Sequence, residues 1–128
     1  MSKSEIDQNK GTIRSFRDLE VWKQSMDLSV ELYKITKGFP KEEQFGLVSQ
    51  IRRAAISIPS NISEGSSRSS VKEYIQFLNV ANGSLSEIET QIELAVRLKY
   101  IEENSLQNQI NHIRSMIFGL LRSLKRKL

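Results

Sequence analysis

Cysteine is absent from this 128-residue sequence, and there are only two prolines, one tryptophan and one histidine. Without cysteine there can be no disulfide, thiol nucleophile or thiolate metal ligand. The lone histidine, His112, rules out the pattern of the helical di-iron enzymes. These need Glu-x-x-His pairs to give each iron a carboxylate and an imidazole, and the residue three before His112 is Gln109. His112 lies beside an apolar stripe and reads as a surface or boundary residue, with a metal role as the lesser alternative. The same shortage leaves every serine without a base and orienting acid, and no glycine-rich phosphate loop occurs. The expectation is a non-enzymatic protein with no cofactor and no metal. No segment comes near the roughly 20 apolar residues of a membrane helix, and the N-terminus lacks the apolar stretch of a secretion signal. A cytoplasmic chain with no membrane contact is therefore expected.

What is present is an ordinary globular composition, 38% hydrophobic and 27% charged, at a length that suits one domain. The net charge of +4 is unevenly spread. Residues 1–103 hold 14 basic and 15 acidic side chains, whereas the last 25 carry Arg114, Arg122, Lys125, Arg126 and Lys127 and no acid. Such a one-signed segment is either an electrostatic footprint for RNA, DNA or an acidic protein, or a set of cations that complement a helix dipole on a solvated face.

Helical periodicity runs through most of the chain. Leu19, Trp22, Met26, Val30 and Tyr33 form the stripe of a first helix over 18–37, with Leu28, Leu32 and Ile35 widening it and Asp18 as its N-cap. Trp22 and Tyr33 could stack on nucleic-acid bases, but this spacing marks them first as core. Gly38-Phe39-Pro40 ends the helix. A second helix spans about 41–66, with Glu42 and Glu43 in its first turn and Gly65-Ser66-Ser67 as its stop. Ser70 and Glu73 form a capping box that opens a third helix, whose stripe is Val71, Ile75, Leu78, Ala81, Leu85, Ile88, Ile92 and Ala95. Ala81, Gly83 and Ser84 are small together, which predicts a close helix neighbour there; a tolerated glycine is the alternative. The run from Ser66 to Ser70 around Arg68 could bind phosphate, though a linker ending in a capping serine explains it more simply. After a break at 100–104, Leu106, Ile110, Ile113, Ile117, Leu120 and Leu124 form the cleanest stripe, that of a fourth helix. No segment alternates like a strand, and every connection is short. The predicted fold is all-α, an antiparallel up-and-down four-helix bundle over residues 16–128 that follows a flexible tail at 1–15.

The second helix carries the densest chemistry, QIRRAAISIPSNISEG from Gln50 to Gly65. Arg53, Ser57, Asn61 and Glu64 fall on one face, while Ile51, Ala54, Ala55, Ile58 and Ile62 can pack a core. Pro59 removes a backbone donor and predicts a kink. Gln50, Arg52, Arg53, Ser57, Asn61 and Glu64, with Glu87 on the third helix, are read as a structural polar network centred on Arg53, Asn61, Glu64 and Glu87, which fixes register or a subunit contact; direct ligand binding is the alternative. Apolar residues outside the stripes, among them Val21, Leu28, Ile35, Phe45, Val48, Phe77, Leu94 and Val96, point to a homo-oligomer or else to a thick core.

The segments FRDLEVW, QIRRAAISIPSNISEG and FLNVANGSLSEIETQIELA, with a Phe-Pro hinge after the first, resemble the bacterial four-helix bundle family that includes the protein encoded in intervening sequences of 23S ribosomal RNA genes. The resemblance runs from Phe16 to about Leu124. Gln50, Arg52, Arg53, Ser57, Asn61, Glu64 and Gly65 match the family's second-helix motif; Gly83, Ser84, Glu87 and Glu89 match its third-helix motif. The resemblance implies a homopentameric barrel. It also relates the chain to the accessory variability determinant of diversity-generating retroelements, which partners a reverse transcriptase and binds nucleic acid on a basic surface. Helix 3 departs from that branch, since Tyr74 to Val96 contains acids but no lysine or arginine, and Asn82 is neutral. The functional expectation is a scaffold or adaptor that engages structured RNA, or RNA with a protein partner, through Arg114, Arg122, Lys125, Arg126 and Lys127, with Arg68 and Lys72 at the same bundle end. The alternative is a protein-docking module that uses its apolar faces and has no nucleic-acid role.

Overall fold

The computed structural model describes residues 15–128. The expectation of a flexible tail at 1–15 falls, except for Ser15, outside the described residues. Four α-helices, α1 (Glu20–Thr36), α2 (Leu47–Ser66), α3 (Val71–Arg97) and α4 (Gln107–Lys125), follow a short 3₁₀ turn at Phe16–Asp18. A second 3₁₀ turn at Lys41–Glu43 lies between α1 and α2. Each helix packs on its chain neighbours and α4 closes on α1, which gives the expected up-and-down bundle. Among the described residues there is no strand, and no helix is long and apolar enough to cross a membrane.

The core agrees with the sequence reading on α4, where Ile110, Ile113, Ile117, Leu120 and Leu124 are all buried, and on α3 from Leu78 to Ala95. On α1 the reading holds in part: Leu19, Leu28 and Leu32 are buried and Trp22 and Ile35 pack against the core, but the stripe is displaced at Met26 and Val30. The buried positions are Val21, Ser25, Leu28, Leu32 and Thr36, while Met26 and Val30 are 40% and 51% exposed. Two of the buried residues are polar, but each satisfies itself one turn back: the Ser25 hydroxyl donates to the Val21 carbonyl at 2.7 Å and that of Thr36 to Leu32 at 2.8 Å. Burial then leaves no unpaired hydroxyl, and the apolar Met26 and Val30 are left outside.

The helix ends also differ in detail. Asp18 lies in the 3₁₀ turn, and the N-cap of α1 is Leu19, which has no side-chain capping bond. Helix α2 starts six residues later than expected, at Leu47 rather than Lys41. Glu43 nevertheless serves it, because its carboxylate accepts from the Leu47 backbone N–H at 3.2 Å. Ser70 caps α3 by accepting from Glu73 N at 3.2 Å, which is one half of the expected box. Helix α2 ends at Ser66 with Ser67 as its C-cap, as expected, and Gly65 is buried in the last turn, where a Cβ would come within 2.8 Å of the Phe77 Cβ and 3.0 Å of the Tyr74 ring. Of the small residues expected to face a close helix neighbour on α3, Ala81 and Ser84 are buried and the Ser84 hydroxyl meets that of Ser57 on α2 at 2.8 Å, whereas Gly83 is exposed and a Cβ on it would meet nothing within 4 Å.

Helix α2 is continuous through buried Pro59. The proline deprives the Ala55 carbonyl of its helical donor, and the Ser29 hydroxyl of α1 approaches that carbonyl at 3.0 Å in its place. The extra apolar residues divide in two: Val21, Leu28 and Val48 join the core, whereas Phe45 is 92% exposed and Leu94 also faces outward.

Candidate nucleic-acid interface

Four separate groups take the place of the single polar network expected around α2. Arg52 reaches back to the end of α1. Its Nε donates to Thr36 Oγ1 at 3.0 Å, its Nη2 donates to the Tyr33 carbonyl at 3.2 Å, and its guanidinium lies 4.4 Å from the centre of the Tyr33 ring. A cation held against the last carbonyls of α1 suits the negative end of that helix. Ser57 and Asn61 turn to the other side. Asn61 donates to the Ser57 carbonyl at 2.7 Å and to its hydroxyl at 3.0 Å, and the Ser57 and Ser84 hydroxyls share a 2.8 Å hydrogen bond that joins α2 to α3. Glu64 pairs with Arg68 at 2.7 Å, one turn on. Glu87 accepts from Gln91 at 3.4 Å on its own helix. Gln50 and Arg53 point outward, and among the described residues the Arg53 guanidinium makes no hydrogen bond or ion pair. Thus Arg53, Asn61, Glu64 and Glu87 do not meet.

The cations expected to contact phosphate also divide. Arg114 is only partly exposed and forms an ion pair with Glu89 of α3, while its other terminal nitrogen donates to Asn111 at 3.3 Å. Gln107 donates to the second Glu89 oxygen at 2.7 Å. Partial burial alone would push the Glu89 carboxyl up; the hydrogen bonds from Gln107 and Arg114, and the Arg114 charge, outweigh it and hold the carboxyl below its ordinary value. Arg114 is therefore a bridge between α3 and α4 and leaves the set of free cations. Arg122, Lys125, Arg126 and Lys127 are all exposed at the end of α4, and none of them is in an ion pair among the described residues. The antiparallel arrangement puts Lys72, Arg68 and the chain's entry at Arg17 at this same pole. Lys72 is exposed; Arg68 shares its charge with Glu64 and lies 5.2 Å from the Phe77 ring centre.

The opposite pole has a different character. Its α1–α2 hinge is tied to the α3–α4 loop by Tyr100, whose hydroxyl donates to the Glu43 carboxylate at 2.7 Å and whose ring lies 5.4 Å from that of Phe39. The hydrogen bond to Glu43, with some burial and the charges of Glu43 and Glu42, pushes the Tyr100 hydroxyl up to about 12. Between α1 and α2, toward the basic pole, an apolar groove of about 350 Å³ is lined by residues that include Phe16, Trp22, Met26, Ile56 and Pro59, with Arg17 beside it. Among the described residues no cluster of three or more His, Asp or Glu side chains could hold a metal ion.

The model of the 23S rRNA-intervening sequence protein family matches residues 17–119. The chain belongs to that family. Among solved structures, a protein of unknown function from the S23 ribosomal protein family of Bacteroides thetaiotaomicron is similar at 27% identity and a TM-score of 0.57, over 81% of this chain and 94% of the other. No curated protein matches. The α2 seam, Lys72 and the Glu89–Arg114 bridge fall within the part matched to the 23S rRNA-intervening sequence proteins, whereas Arg122, Lys125, Arg126 and Lys127 lie beyond it. The sequence reading did not foresee the Glu89–Arg114 and Glu43–Tyr100 pairs. Each joins residues 25 or 57 positions apart, so no helical spacing announces it. The groove was missed because Trp22 and Met26 were assigned to the core.

Proposed function

We propose that this member of the 23S rRNA-intervening sequence protein family is a non-enzymatic, homo-oligomeric scaffold that engages structured RNA through the basic pole. The reading is carried by the four exposed cations Arg122, Lys125, Arg126 and Lys127 at the end of α4, none of which forms an ion pair among the described residues. Their guanidinium and ammonium groups suit phosphate oxygens, and with no base-reading motif nearby, selectivity comes from the shape of the RNA and from repeated display of the pole around an oligomer. A ring of five is the assembly that the family resemblance implies. A second reading, a protein-docking module without nucleic acid, draws on the exposed Phe45 and the α1–α2 groove.

Fluorescence anisotropy against a structured RNA and a duplex DNA, over a salt series, separates the two. Four phosphate contacts at a single pole predict an affinity that falls roughly 100-fold between about 50 and 200 mM salt, and more steeply where several poles of the oligomer engage one RNA. A variant with Arg122, Lys125, Arg126 and Lys127 all replaced by alanine should lose both the binding and the salt dependence. If the wild type fails to bind even at low salt, the RNA reading is lost and the docking module takes its place.

A further inference from the structure

Phe45 is the most exposed large hydrophobic residue among the described residues, at 92%, yet it does not stand on a loose loop. The turn that bears it is closed by backbone bonds from Gln44 to Lys41 and from Gly46 to Glu43. The Glu43 carboxylate is fixed in turn by the Leu47 N–H and the Tyr100 hydroxyl. An aromatic ring held outward on a pinned turn loses little conformational freedom when it is covered. The groove between α1 and α2 is its counterpart, with an apolar floor of Trp22, Met26, Ile56 and Pro59 and a volume of about 350 Å³. Ring and groove also differ in the charge beside them. Exposed Glu42 stands three positions before Phe45 in the sequence, and exposed Arg17 lies at the groove.

We propose that Phe45 of one copy seats in the α1–α2 groove of a second copy, so that subunits join head to tail. A chain cannot fill its own groove. Phe45 projects from the hinge pole, whereas the groove is built from the first half of α1 and the second half of α2, toward the other end. Each copy therefore offers one ring and one socket on different surfaces. Such a heterologous contact repeats from subunit to subunit and makes a ring where its rotation closes. This inference deepens the homo-oligomeric reading above and rests on it.

The test compares wild type, Phe45→Asp and Ile56→Asp by sedimentation and light scattering. Both substituted side chains are exposed, at 92% and 48%, and thermal melting should show both variants folded. Wild type should assemble. Each variant alone should be monomeric, with the contact weakened by about 100-fold or more. An equimolar mixture should form one-to-one dimers and nothing larger, because only one intact ring and one intact socket remain. Emission from Trp22, the sole tryptophan, should shift as that dimer forms. Variants that assemble like the wild type, or a mixture that stays monomeric, would overturn the contact and leave the homo-oligomer standing. If Phe45→Asp alone already shows the Trp22 emission of the assembled wild type, another segment fills the groove and the contact is again overturned. A wild type that is monomeric at every concentration would remove both the contact and the homo-oligomer.

Discussion

Arg114 and Arg122 stand about two turns apart on α4, yet they have different surroundings. Arg114 faces α3 and is neutralised by Glu89, whereas Arg122 faces solvent with no acid nearby in the sequence. A count of basic residues cannot tell them apart, because the difference lies in what the next helix presents. The same holds for Tyr100, which owes its properties to a carboxylate 57 positions away. Its hydroxyl is pushed up to about 12, while an unfolded tyrosine ionises near 10. The folded value is the higher one. The bond to Glu43 therefore contributes its full stability below pH of about 10 and loses it as the pH rises from there through about 12. A near-ultraviolet absorbance titration should show one of the three tyrosines ionising late. Glu43→Gln should bring that step to lower pH, and Tyr100→Phe should abolish it. Superimposable wild-type and Glu43→Gln curves would mean that the carboxylate does not hold the phenol.

At the scale of the element, legibility followed the chemistry of burial. Helix α4 was read correctly because its buried stripe is almost wholly aliphatic and its other face polar. Helix α1 is legible only in part, because Ser25 and Thr36 enter the core with their own hydrogen bonds beside Leu28 and Leu32, so a search for apolar residues also takes in the exposed Met26 and Val30. The break expected at 100–104 puts the end of α3 in the right place, but the geometry of that end is not written in the pattern. Tyr100 N donates to the Ala95 carbonyl at 2.9 Å and Lys99 N to Val96 at 3.0 Å, which makes a Schellman motif, and Lys99 takes a φ of 65°. Lysine at this left-handed position carries a steric cost that glycine does not. After allowing for the greater freedom of glycine in the unfolded chain, Lys99→Gly should stabilise the protein by about 0.5–1 kcal/mol. That corresponds to a rise of about 2–4 °C in Tm by calorimetry. A lower Tm would show that the lysine side chain does more there than its exposure implies.

For the whole molecule, the bundle separates two kinds of surface along its axis. Free cations gather at the pole where α4 ends, and the pinned Phe45 turn stands at the other pole. Two substitutions can therefore act independently, one on charge and one on assembly. Neutralising Arg122, Lys125, Arg126 and Lys127 should abolish RNA binding and leave the oligomer intact, since none of them lines the groove. Phe45→Asp should leave every cation in place yet reduce the display to a single pole. When several poles engage one RNA, each contact after the first is intramolecular, and the loss of that linkage costs affinity without removing any phosphate contact from the subunit itself. The monomeric variant should therefore bind about 10- to 100-fold more weakly than the wild type. Its salt dependence should fall to that of about four contacts, whereas the assembled protein responds more steeply. Equal affinity and equal salt slope for Phe45→Asp and wild type would mean that one pole suffices, and that assembly serves a purpose other than RNA binding.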